Sequence, residues 1–253
     1  MTDLVLVERD GALATITFNN PDKRNVLSFA MLDAISDALS GVEADPAARV
    51  VVMTHTGPVF CAGMDLKEAA ERGLEATSGL IVKVLRQISA LPKPVVVRLA
   101  GPVRAGGLGI VGAADVVIAA DDITFAFTEA RIGVAPAIIS LTVLPRMTPR
   151  QAHRWCLSGE TFDAGEAAAA GLISRAVPAA ELDAAVTAVT TELLLASPQG
   201  LAETKKLLGR QILALLDEQG EQVCKLSANL FASEEAKEGM TAFLEKRKPR
   251  WLT

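Results

Sequence analysis

The 253-residue chain has no tyrosine and only two histidines, His55 and His153. No reaction step here can use a phenol, and two imidazoles cannot furnish a three-histidine metal site. Aromatic residues make up 4% of the chain, too few for the aromatic and basic surface on which nucleic-acid bases stack. Positive charge is also short: 25 Lys and Arg stand against 30 Asp and Glu, a formal net charge of −5. That balance argues against a nucleic-acid partner. The three cysteines, Cys61, Cys156 and Cys224, are far apart and form no CxxC pair. They read as free thiols in a reducing compartment, so a cytoplasmic location is expected. Long apolar runs are missing too, since the charge-free stretch from Ile132 to Pro145 is 14 residues long and contains Pro136. It is too short to cross a bilayer, and no membrane insertion is expected. Met1-Thr2-Asp3-Leu4 carries an acid where a secretory leader would be basic.

What is present is a globular composition, with half of the residues apolar and 22% charged. Leu4 to Glu8 and Ala12 to Phe18 alternate as strands, and Asp10-Gly11 between them signals a hairpin. Ser28 can cap a helix with Met31, Leu32, Ile35, Ala38 and Leu39 on one face. Strands are expected at Val50 to Thr54, Val95 to Leu99, Val116 to Ala119 and Thr124 to Phe127, with helices near Thr77 to Leu91 and Gly106 to Gly112. Beyond residue 130 the pattern turns helical. Asp163 and Gly171 bracket a short helix, Leu172 to Val177 reads as a last strand, and residues 180–247 read as three or four amphipathic helices. The expected class is α/β: a core over residues 1–190 followed by a helical region over 191–253, of the kind that packs on a neighbouring subunit.

Gly107-Leu108-Gly109-Ile110-Val111-Gly112 matches GxGxxG, but Gly101 to Ala105 separate it from the preceding strand. A dinucleotide fingerprint needs the first glycine directly after the strand, so a nicotinamide site is not expected. Two glycine turns say more together. Phe60-Cys61-Ala62-Gly63-Met64-Asp65-Leu66 and Gly101-Pro102-Val103-Arg104-Ala105-Gly106-Gly107-Leu108-Gly109 each follow a strand and open a helix. Such turns aim unpaired backbone N–H groups at one point, which is how an oxyanion is held. Two ordinary tight turns would read the same way.

The first of these segments, extended through Lys67-Glu68, resembles the first signature of the enoyl-CoA hydratase/isomerase (crotonase) superfamily. The resemblance runs in order through Asn19-Asn20-Pro21-Asp22-Lys23-Arg24-Asn25-Val26-Leu27, the second turn as far as Asp115, Thr161-Phe162-Asp163-Ala164-Gly165-Glu166-Ala167 and Ala242-Phe243-Leu244-Glu245-Lys246-Arg247. It implies a spiral of ββα units whose C-terminal helices build trimers, often paired into hexamers. It also implies an acyl-CoA thioester substrate, with coenzyme A part of that substrate and no separate cofactor or metal.

Carried over by position, the resemblance assigns the two oxyanion N–H groups to Met64 and Gly106. Ala62, Asp65 and Leu66 fall where the family meets the adenine end of CoA, and Lys23 and Arg24 are cations for its phosphates. Phe243 and Lys246 would reach adenine and ribose phosphate, commonly from a neighbouring subunit. The family hydratases use two glutamates; one corresponds to Glu129, while the other position holds Gly109. Glu129 could instead be a solvated acid beside Arg131, although its flanks Phe125, Phe127, Ile132 and Val134 are apolar and would raise its pKa. With Gly109 in place of the first glutamate, substrate is expected beside it, and the reaction is either enoyl-CoA hydration or 3,2-enoyl isomerisation by Glu129 alone. The stretch Thr128 to Ser140 is similar to methylglutaconyl-CoA hydratase-like members, which favours hydration. His55 reads as a structural histidine bonded to backbone, and His153 is assigned nothing.

Overall fold

The computed structural model describes residues 3–68 and 74–252; Met1 and Thr2 of the opening segment lie outside it. A six-stranded sheet has the order β1-β2-β3-β4-β6-β9. Its strands are β1 (Val5–Asp10), β2 (Leu13–Phe18), β3 (Val50–His55), β4 (Val95–Leu99), β6 (Val116–Ala120) and β9 (Arg175–Val177). Only the β1–β2 pair is antiparallel, closed across Gly11 at φ +57. The central parallel strands are almost wholly apolar because both faces are covered: Val50 to Met53 and Val95 to Val97 are all buried.

A second sheet joins β5 (Val103–Arg104), β7 (Thr124–Ala126) and β8 (Thr161–Asp163). Cys61 extends it by a parallel bridge to Val103. Helix α1 (Phe29–Ala44) follows β2 of the large sheet without a strand of the small sheet between them. From β3 onward the chain repeats one unit: a strand of the large sheet, a bridge or short strand of the small sheet, then a helix. The helices after these units are α2 (Leu74–Ala90), α3 (Gly106–Ala113) and α4 (Ala137–Val143). Ser28 caps α1 by accepting from the Met31 N–H at 3.2 Å, as its position predicts.

After α5 (Pro149–Ser158) and β8, Asp163 and Glu166 form a reciprocal capping box that starts α6 (Ala164–Ala169). Four helices follow: α7 (Leu182–Leu195), α8 (Pro198–Leu208), α9 (Arg210–Phe231) and α10 (Glu234–Leu244). The expected boundary at residue 190 falls inside α7, and the later helices grip the core directly. Lys205 of α8 donates to Asp115 at 2.7 Å and to the carbonyls of Ile88 and Lys93. On α9, Asp217 pairs with Arg86 of α2 at 2.6 Å, and Gly220 lets Val82 approach. Among the described residues no helix is long and apolar enough to cross a membrane.

The GxGxxG run is a packing face. A β-carbon on Gly107 would lie 2.7 Å from Cys61 Cβ, and one on Gly112 would lie 2.7 Å from the Thr142 carbonyl carbon. The three glycines let α3 settle against the first turn and against α4, and no phosphate is needed to account for them.

Candidate active site

The two glycine turns and the segment after β7 meet around a cavity of about 650 Å³. Each wall has a local cause. The loop before α1 is stapled to the first turn by Asn25, which is fully buried and held at φ +51. Its amide donates to the carbonyls of Thr56 and Val59, and its oxygen accepts from the Asn20 N–H. Asparagine tolerates this left-handed backbone better than most residues. Backbone bonds finish the junction: Ala62 donates to the Arg24 carbonyl, Leu27 to that of Gly63, and Asp65 to that of Leu27. Lys23, Arg24, Ala62, Met64, Asp65 and Leu66 consequently share one wall of the cavity.

The bond pattern on that wall leaves the Met64 N–H without an acceptor among the described residues. Beside that wall, Ala105 takes φ 44 and ψ −120, a backbone region costly for any residue with a side chain, at roughly 1–3 kcal/mol. It is fixed there by its own N–H donating to the Ala126 carbonyl at 3.2 Å. The twist makes Gly106 the first residue of α3, with its N–H also unpaired among the described residues. The two turns touch. A β-carbon on Gly106 would be 3.7 Å from the Met64 nitrogen, and one on Gly63, at φ +98, would be 3.1 Å from Ala105 Cβ. Two residues with unpaired N–H groups thus stand side by side on the cavity wall.

Glu129 begins the 3₁₀ turn Glu129–Ile132 and lines the same cavity. Its Oε2 is buried and accepts no hydrogen bond. Burial pushes its carboxyl up to about 7, with a small opposing pull from its own backbone N–H. Arg131 does not neutralise it, because that guanidinium turns away and donates to the Ser158 carbonyl at 2.9 Å. Behind the turn, Trp155 stacks on Phe162 at 3.7 Å, and Phe162 stacks in turn on Phe125 and Phe127. Cys156 on α5 lies close enough to feel Glu129, and burial followed by that charge raises its thiol to about 11.

Two expected contacts fall elsewhere. Gly109 does not line the cavity: a β-carbon there would be 2.8 Å from Ile139 Cγ2 and 3.2 Å from Leu85 Cδ1, so side chains occupy the space expected for substrate. Lys246 also lies off the cavity wall, on an exposed stretch at φ 54 after α10, whereas Phe243 contributes to the cavity of its own chain. His55 is buried, its Nδ1 3.3 Å from the Thr56 carbonyl and its ring edge-on to Phe60. Burial lowers its pKa, and it is no part of the cavity wall. His153 is exposed, with Nδ1 2.7 Å from the Pro149 carbonyl.

Sequence reasoning assigned no individual role to Ile81, Ile138, Ile139, Ser227 and Phe231, which also line the cavity. Ser227 and Phe231 stand four apart on α9, a spacing that puts them on one face but does not say what that face meets.

Comparison with known proteins identifies the family. A family model described as enoyl-CoA hydratase/isomerase matches residues 8–253. A crystal structure of an enoyl-CoA hydratase from Mycobacterium avium superposes with a TM-score of 0.93 at 45% identity, covering 99% of this chain and 100% of that one. A carnitinyl-CoA hydratase from the same organism gives 0.86 at 29% identity, covering 99% of each chain. A mevalonyl-coenzyme A hydratase of Aspergillus fumigatus is 33% identical over 244 residues, 93% of this chain and 90% of that protein. The chain has the crotonase fold and is a member of the enoyl-CoA hydratase/isomerase family, an acyl-CoA enzyme.

Proposed function

We propose that the protein hydrates a 2-enoyl-CoA to the 3-hydroxyacyl-CoA, with Glu129 as the single acid–base group. One observation carries the reading: a desolvated carboxyl with one unpaired oxygen and two residues with unpaired backbone N–H groups line one cavity. The Met64 and Gly106 N–H groups would hold the thioester oxygen and stabilise the enolate, because fixed donors in a dry site follow developing charge at little reorganisation cost. Glu129 as carboxylate takes a proton from water while the water oxygen bonds to Cβ. The Cα=Cβ electron pair moves onto the thioester as an enolate. Glu129 then returns the proton to Cα on the same face.

A pKa near 7 suits both halves of that cycle at neutral pH. The reaction so written needs no metal and no redox cofactor, and CoA arrives with the substrate. Lys23 and Arg24 at the cavity rim offer positive charge for its phosphates, and Ala62, Asp65, Leu66 and Phe243 line the path toward the adenine. Ile81, Ala137, Ile138 and Phe231 favour a hydrocarbon acyl chain. A carboxylated chain has less support, since the guanidinium groups of Arg104 and Arg131 are already donating to Thr124 and Ser158. Exposed Leu195, Leu208, Leu244 and Leu252 on the C-terminal region support assembly with further copies, a trimer or hexamer.

The second reading is 3,2-enoyl isomerisation, favoured by Leu85 and Ile139 occupying the space where a second carboxylate would project from position 109. The test is Glu129→Gln on a panel of 2-enoyl- and 3-enoyl-CoA esters, followed by conjugated-enoyl absorbance. We expect wild type to hydrate the 2-enoyl esters, and the variant to lose roughly 10²–10⁴-fold in kcat with ester binding retained. Isomerisation without hydration would leave the second reading standing. Near wild-type turnover by the variant would remove Glu129 from either mechanism.

A further inference from the structure

The turn that carries Glu129 is gripped from two sides. On one side Arg131 reaches the Ser158 carbonyl at the end of α5. On the other, α10 lies against the turn backbone to backbone. A β-carbon on Gly239 would sit 2.5 Å from the Ile132 carbonyl carbon and oxygen, and one on Gly133 would sit 2.7 Å from those of Glu235. These two glycines face each other's elements, so neither backbone can gain a side chain without pushing the other away. Between them Ala236 is completely buried and packs with Val134 and Phe231. Gly133 closes the 3₁₀ turn at φ +79, and the next N–H, that of Val134, donates to the Glu129 carbonyl at 3.1 Å. Any displacement at Ile132–Gly133 therefore passes directly to the catalytic residue.

We propose that α10 is a positioning element for Glu129, acting through the Gly239–Ile132 and Gly133–Glu235 backbone contacts. This rests on the reading of Glu129 as the acid–base group. Phe243, one turn beyond Gly239 on the same helix, lines the cavity, so substrate contact and placement of the carboxyl share one rigid element. The charged neighbours do not supply an alternative route. On α10 Glu234 pairs with Lys237 and Glu238 with Arg247, while Glu235 is exposed. On α5 Arg154 pairs with Glu160, and Cys156 is the ionisable side chain that feels Glu129.

Gly239→Ala is the direct test. The residue is helical, so alanine suits its backbone, and the added methyl must move the turn by about 1 Å to reach ordinary contact distance. A misplacement of that size costs on the order of 10²-fold. We expect kcat to fall by roughly 10- to 100-fold with KM little changed. We also expect the acid limb of the kcat/KM profile to move to lower pH as water reaches the carboxyl. Ser233→Ala removes only the cap of α10, whose hydroxyl accepts from the Ala236 N–H, and should move both readouts the same way by less. It decides the matter if Gly239→Ala does not fold. Folded variants with wild-type kcat and an unmoved acid limb, or with a change in KM alone, would overturn the positioning role. Glu129→Gln run beside them separates the two claims. An inactive Gln variant beside unaffected Gly239→Ala and Ser233→Ala variants sinks the positioning role alone, whereas an active Gln variant sinks the reading of Glu129 and the positioning role with it.

Discussion

Position 109 shows how one side chain decides what a site can hold. A glutamate there would project at Ile139 Cγ2 and Leu85, both buried, with no cation in that contact set. It would be overpacked and unpaired together, and Gly109→Glu should cost about 3 kcal/mol or more of stability. Urea denaturation reads this directly. Adding Ile139→Ala removes the nearest atoms and should return part of that loss, and a rise in 2-enoyl-CoA hydration should appear only in the double variant. Full stability of Gly109→Glu alone would mean the two side chains move aside freely. Met64, Gly106 and Glu129, singled out in the sequence by residue type and turn, all line the cavity. Gly109 was misjudged because its neighbours, Leu85 and Ile139, come from α2 and α4. No local pattern reports what an adjacent helix puts into an empty space.

Among the elements, the central strands of the large sheet were plain because burial on both faces makes them almost wholly apolar. The small sheet was not. β5 has two residues and β8 three, too short for any periodicity, and they become strands only when β7 lies between them. The strand expected at Leu172 to Val177 shrinks to Arg175–Val177 because the backbone at 170–173 bonds back into α6, Leu172 donating to the Ala167 carbonyl. Docking of the C-terminal helices was equally hidden, since Lys205 reads as one more helix-surface lysine. Its ammonium is instead buried, lowered in pKa by that burial, and held by Asp115 and two carbonyls. Lys205→Met keeps the stem but orphans these acceptors, and should cost about 3 kcal/mol by thermal or urea unfolding. A loss below about 1 kcal/mol, the range of surface ion pairs, would show that α8 docks through apolar contact alone.

For the molecule as a whole, the site is a cost that folding has to carry, and pH exposes it. Glu129 ordinarily titrates at 4.5 and is raised to about 7 in the folded chain. Below pH 4.5 it is protonated in both states and contributes no charge penalty. Between 4.5 and 7 the unfolded chain releases the proton while the folded chain keeps it, so folding stability falls as pH rises. Above 7 the full penalty is in place, about 2–3 kcal/mol once some solvent access through the cavity is allowed for. Glutamine cannot ionise and escapes the penalty while nearly keeping the shape. Glu129→Gln should therefore unfold later than wild type at pH 8, with the gap closing as pH is brought down to 4.5. Comparing the two proteins at each pH cancels the titration of every other group. A gap that stays constant across this range would mean the carboxyl is solvated in the folded protein. A gap that closes would tie the loss of activity and the gain in stability to one desolvated proton.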